Sequence, residues 1–233
     1  TLHLLRIFAA ALALGALAPG LHAKPTVLFV SQTKAAPEVV ASDAEVQQRL
    51  VKLGFDVTFA DQADPATAAN GKDLVFISSG VSAHRLEGRY RHVAVPLVVC
   101  ESYSLPHLGM SGGKQDADFG TKEGKIRYLW LVNAPHPLAG GIAAGMVNIV
   151  KKGCAINWGR PGPGATVIAT FPGELDKSPL FAYERGATMD GENLAPARRV
   201  FLFLDGDMFP NLNDAGLKLF DATVLWAAGL PKN

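Results

Sequence analysis

The chain has 233 residues, 48% of them hydrophobic, with 22 Lys and Arg against 21 Asp and Glu and a formal net charge of +1. That length supports one sizeable apolar core and one or two domains. Near-neutrality without a block of like charge excludes the electrostatic footprint of a nucleic-acid or anionic-membrane binder, and Lys151-Lys152 is too short to supply one.

The first residues read as a targeting segment. Arg6 is the positive n-region, Ile7 to Leu17 the apolar run, and Pro19-Gly20 breaks the helix before Ala23. The run is shorter than the roughly 20 residues needed to cross a bilayer. A signal peptide is therefore expected over residues 1–23. The mature protein would be periplasmic or secreted, with no stable membrane anchor after cleavage. Residues 24–233 show no composition break and no repeat, so one domain is expected there. In an oxidising compartment Cys100 and Cys154 can form a disulfide or stay free, and spacing does not decide between them.

Thr26 to Val30 is a first strand, ending in Ser31-Gln32. Ser42-Asp-Ala-Glu45 has the capping-box pattern and predicts a helix to about Leu53, with Val46, Leu50 and Leu53 on one face and Gly54 as its stop. Phe55 to Ala60 is a second strand, Asp64-Pro65 opens a short helix, and Leu74 to Ser78 is a third strand. A short helix follows around Ser82 to Gly88, then a fourth strand from Pro96 to Cys100. Strands apolar at every position, alternating with helices, predict right-handed βαβ units on a parallel sheet buried on both faces. Ser102 to Thr121 reads as a long loop anchored by Leu105, Leu108 and Met110. Further strands are expected at Ile126 to Val132, Met146 to Val150, Ala165 to Phe171 and Pro179 to Glu184, with a turn at Pro161-Gly-Pro-Gly164. Arg199 to Leu204 is a last strand. Asn211 or Asn213 would cap a final helix whose buried stripe is Leu217, Phe220, Val224 and Ala228. The fold class is α/β, with additional strands in the C-terminal half.

Two segments carry a family resemblance. Asn133-Ala-Pro-His-Pro-Leu-Ala-Gly-Gly141 resembles the His-Pro-(Ile/Leu)-x-x-Gly segment of ThuA-like (trehalose-utilisation-like) proteins. Arg199-Val-Phe-Leu-Phe-Leu-Asp205 and Leu225-Trp-Ala-Ala-Gly229 resemble that group's last strand and closing helix. The resemblance implies the flavodoxin-like three-layer α/β/α fold of the class I glutamine amidotransferase-like superfamily. It also implies a small-molecule ligand of the carbohydrate class. The superfamily's nucleophile sits on a glycine-flanked elbow with a late His-x-Glu pair. Here Cys100 has Val98 and Ser102 two residues to either side, and the last histidine is His136.

In open α/β sheets ligands sit outside the carboxyl ends of the strands, which directs attention to Cys100 and Glu101. Cys100 would be a nucleophile with His107 or His136 as base; otherwise it is a small buried strand-end residue. Glu101 next to an apolar strand must be paired or functional. His136 either reaches the cleft or shapes the turn between its two prolines. Asp205 and Asp207 offer too few oxygens for a cation, and capping the following helix is the alternative role. With no zinc spacing, no G-x-G-x-x-G and no P-loop, neither metal nor cofactor is expected. The candidate site comprises Glu101, Cys100 and His136 as catalytic groups and Ser31, Ser79, Tyr103 and Asp205 as ligand contacts. The rival functions are a hydrolase or amidase using Cys100 and a non-catalytic interaction domain of the cell envelope.

Overall fold

A computed structural model describes residues 23–231. The targeting segment, apart from Ala23, lies outside the described residues. In chain order the strands are β1 (Thr26–Ser31), β2 (Asp56–Asp61), β3 (Leu74–Ile77), β4 (Leu97–Val99), β5 (Phe119–Ile126), β6 (Tyr128–Leu131), β7 (Gly145–Asn148), β8 (Cys154–Gly159), β9 (Thr166–Thr170), β10 (Leu180–Tyr183) and β11 (Arg199–Leu202). The α-helices are α1 (Pro37–Lys52), α2 (Ala83–Leu86) and α3 (Asp214–Ala227).

Nine strands form one sheet in the order β2-β1-β3-β4-β11-β10-β9-β6-β7. The first five run parallel, with β1 paired to β3 from Val27↔Leu74 to Val30↔Ile77, as the apolar runs require. From β10 outward the pairing is antiparallel. The pleat sends alternate side chains to opposite faces. Val27 and Phe29 of β1 join Leu50 of α1 and Phe220 of α3 in one cluster, and Phe29 stacks on Phe76 at 5.6 Å. Leu28 and Val30 join Ile77, Leu86, Tyr90 and Leu108 in the other. The second face is covered by the short α2 and by turns, so this layer carries no long helix. Arg199 enters from the amino end of β11, fully buried, and donates to the carbonyls of Val93 and Val95.

Two expectations shift. α1 begins at Pro37, five residues before the capping box, because proline's fixed φ and missing N–H suit the first helical position. Ser42 then lies inside the helix, where the Glu45 amide belongs to the helical ladder. The segment expected to be one strand from Ile126 to Val132 is divided at Arg127 between β5 and β6. β5 begins inside the predicted loop and pairs antiparallel with β8 as a separate two-stranded sheet. For α3, Asn213 is the cap, its side chain accepting from the amides of Ala215 (3.0 Å) and Gly216 (3.1 Å). Phe220 and Val224 are buried as expected, while Leu217 and Ala228 are half-buried and Leu219, Thr223 and Ala227 complete the covered face.

Candidate functional site

The carboxyl ends of β1, β3, β4 and β11 lie side by side, and the polar residues that follow each strand converge there. Beneath them sits Asp43 of α1, a buried carboxylate. It accepts from the hydroxyl of Ser31 after β1 and from that of Ser78 after β3, each at 2.5 Å. Burial raises the Asp43 pKa, and the two seryl hydrogen bonds oppose that shift. The Gly80 amide donates to Ser78 Oγ at 2.9 Å. A Cβ at Gly80 would lie 2.6 Å from the Val39 side chain, so the turn after β3 packs directly onto α1. Ser79 Oγ donates to the Gly206 carbonyl at 3.3 Å, joining the turns after β3 and β11.

Cys100 directly follows β4 and has no exposed surface, its amide donating to the Ile77 carbonyl at 3.0 Å. Burial pushes its thiol well above the ordinary range, and the Asp43 and Glu101 carboxylates push it further. Among the described residues the non-glycine positions with positive φ are Glu87, Asp116 and Glu192. Cys100 is therefore not on the strained elbow of an activated nucleophile.

Glu101 is half-buried, and its carboxylate accepts from the Tyr103 amide at 2.9 Å. Burial pushes its pKa up to about 7, with the nearby Asp205 adding to the rise and the Tyr103 bond opposing it. Asp205, after β11, is also raised, by burial first and then by Glu123 and Asp207, against a hydrogen bond from Asn157. Asn157 of β8 is the brace of this corner. Its Nδ2 donates to the carbonyls of Cys100 (3.1 Å) and Leu204 (2.8 Å), and its Oδ1 accepts from Thr121 Oγ (2.6 Å) and Ser102 Oγ (3.3 Å). Tyr103 is 38% exposed beside Glu101, its ring edge-on to Phe119 and its hydroxyl accepting from Gln115.

Thus Ser31, Ser79, Cys100, Glu101, Tyr103 and Asp205 lie along one edge of the sheet. His136 does not join them. α3 runs back along the strands, so its last turn lies near their amino ends, where Arg198, just ahead of β11, stacks on Trp226 at 4.4 Å. His136 packs on that same Trp226 at 5.2 Å, and its Nδ1 accepts from the Leu138 amide at 3.2 Å. Burial lowers its pKa. It is a turn cap between prolines, remote from the thiol. His84, His92 and His107 are exposed. The two cysteines are free, and among the described residues no group of three His, Cys, Asp or Glu side chains is placed to hold a metal ion.

Asp43 and Asn157 escape a reading by motif. Asp43 had a signal, because it precedes Val46 and Leu50 by three and seven residues and so shares their buried stripe. Asn157 had none, since its role depends on the separate β5–β8 sheet.

Strand order, layers and the position of this edge define the flavodoxin-like fold of the class I glutamine amidotransferase-like proteins. Solved structures of similar shape agree. A protein described as ThuA-like from Bacteroides uniformis matches with a TM-score of 0.58 at 12% identity, over 90% of this chain and 95% of its own. The glutaminase domain of Trypanosoma brucei CTP synthase, with bound acivicin, matches with a TM-score of 0.52 at 10% identity, over 90% and 96%. A second protein described as ThuA-like, from Parabacteroides merdae, gives 0.50 at 14% identity, over 90% and 92%. At such identities the likeness is one of fold. No family model matches the sequence, and no curated protein matches it.

Proposed function

We propose that this chain is an exported ThuA-like protein whose cleft, at the carboxyl ends of β1, β3, β4 and β11, binds or processes a small polar ligand of the sugar class. The observation that carries this reading is that Glu101 and Asp205 follow neighbouring strands, both carboxyls raised in pKa by burial and the Asp205 charge adding to the rise at Glu101. A carboxyl that titrates near 7 offers both a proton donor and an acceptor to a ligand hydroxyl, and is matched to acid–base work at neutral pH. Tyr103 adds an exposed aromatic edge and Ser79 a hydroxyl. The sugar class rests on the ThuA-like resemblance, and export rests on the sequence of the first 23 residues. Reaction through Cys100 is disfavoured by its complete burial, its raised thiol pKa and the placement of His136 at the opposite end of α3.

The test is a thermal-shift screen of neutral sugars and sugar derivatives against wild type and Glu101→Gln. A ligand that binds the native state raises its stability by RT ln(1 + [L]/Kd), about 2.7 kcal/mol at a hundredfold excess over Kd. The expected result is a sugar-induced shift in the wild type that Glu101→Gln abolishes. Equal shifts in both proteins would remove Glu101 from the site.

A further inference from the structure

A second concavity opens at the same edge of the sheet, beyond β1 and β2. It has a volume of about 460 Å³ and is lined by Gln32, Thr33, Lys34, Asp61, Gln62 and Arg85. We propose that this pocket is a separate ligand site that takes the oxyanion group of a small hydroxylated molecule, a phosphate ester being the fitting class.

The argument begins with Gln62, which is only 4% exposed. Its Oε1 accepts from the Ser82 amide at 2.6 Å, which fixes the orientation of the side-chain amide. Its Nε2 has no hydrogen-bond partner among the described residues and keeps some exposed surface, and Gln62 lines the pocket. A nearly buried amide, held by one end with its donor end free, is matched by an acceptor supplied from outside. Two cations flank it. Lys34 and Arg85 are exposed, and neither forms an ion pair among the described residues. α1 starts just beyond Lys34 with no side-chain cap, so its first free amides add positive potential at this edge.

Asp61 is the one anion in the lining, and its charge is already engaged. It accepts from the Thr33 amide (2.8 Å), the Thr33 hydroxyl (2.5 Å) and the Ala63 amide (2.9 Å). These bonds, with Arg85 nearby, hold its carboxyl below the usual range. Lys34 and Arg85 against Asp61 leave the lining at a formal +1. Guanidinium, ammonium and a free amide donor are the groups that recognise a phosphate, and a carboxylate beside them accepts from an adjacent hydroxyl. A neutral ligand would leave the net positive charge of the lining unanswered, and a bare metal ion would face two cations.

The test is isothermal titration of the full chain with inorganic phosphate and with glucose 6-phosphate at constant ionic strength. Both anions should bind, the ester more tightly. Arg85→Gln and Lys34→Gln remove exposed side chains without ion pairs, so both variants should melt like the wild type. Each should weaken binding by about tenfold or more, the loss of one charge-assisted hydrogen bond. Gln62→Glu keeps the acceptor for Ser82 but replaces the free donor with a negative charge, and should abolish binding. Glu101→Gln should leave it intact, which separates this pocket from the cleft proposed above. Absence of binding by either anion, affinities unchanged in both charge variants, or loss of binding in Glu101→Gln would overturn the proposal. An ester that binds no better than phosphate would remove the hydroxyl role of Asp61.

Discussion

Replacing Glu101 with Gln should make the protein more stable at alkaline pH. The Glu101 carboxyl is raised from 4.5 to about 7 in the folded state, chiefly by burial. The native state therefore holds this proton more tightly than the unfolded chain does. Its contribution is fully present below the unfolded value, is lost as pH rises from about 4.5 to about 7, and changes no further above that. Each pKa unit corresponds to 1.36 kcal/mol, so the window amounts to about 3 kcal/mol. Gln has the shape of the protonated acid, keeps an acceptor for the Tyr103 amide and never ionises. Wild type and Glu101→Gln should thus differ little at pH 5, and the variant should be more stable by about 2–3 kcal/mol at pH 8. Asp43 and Asp205 are raised as well, but they titrate in both proteins and largely cancel in the difference. Urea unfolding of the pair across pH 5 to 8 measures it. A difference independent of pH, or a variant weaker at pH 8, would refute the account of this carboxyl as a buried charge.

Three other outcomes are expected. Asp43→Ala removes the acceptor for both Ser31 and Ser78 and should destabilise by about 2–4 kcal/mol in denaturant titration. Gly216→Ala should destabilise by about 1–3 kcal/mol despite alanine's better helix propensity, because its Cβ would fall 2.3 Å from the Ile149 carbonyl; calorimetric melting checks the sign. Native alkylation at neutral pH, followed by mass, should label the half-buried Cys154 ahead of Cys100, with Cys100 reacting only on unfolding.

The centre of the parallel half was legible because β1, β3 and β4 are apolar at consecutive positions, which admits few other environments. The same holds for the edge where Glu101 and Asp205 meet, since both directly follow such runs. β2, Asp56-Val-Thr-Phe-Ala-Asp61, is instead a largely exposed edge strand and not the doubly buried one expected. What the pattern hid is instructive. The β5–β8 pair reads Phe-Gly-Thr-Lys-Glu-Gly-Lys-Ile against Cys-Ala-Ile-Asn-Trp-Gly. Neither strand alternates along its length, and the pair stands apart from the nine-stranded sheet. α1 was displaced because a local capping signature lost to a proline five residues earlier. His136 looked functional by its residue type. Its position follows from α3 running back to the amino ends of the strands, which no local pattern encodes.

The place of β11 has a consequence for how the molecule is made. It sits in the middle of the nine-stranded sheet, between β4 and β10, yet it follows every other strand of that sheet in the chain. Its pairing of Arg199 with Leu97 spans about a hundred residues. Leaving out β11 divides the sheet into two four-stranded sets, β2-β1-β3-β4 and β10-β9-β6-β7, with β4 and β10 as the edges at the seam. Loop-closure entropy makes such a long-range step slow, and the edges of β4 and β10 that face β11 stay unpaired until it is made. Refolding should therefore be concentration-sensitive, with β4-to-β10 pairing between chains as the competing misassembly. Asp205, and with it the carboxyl pair, comes into place only after that seam has closed.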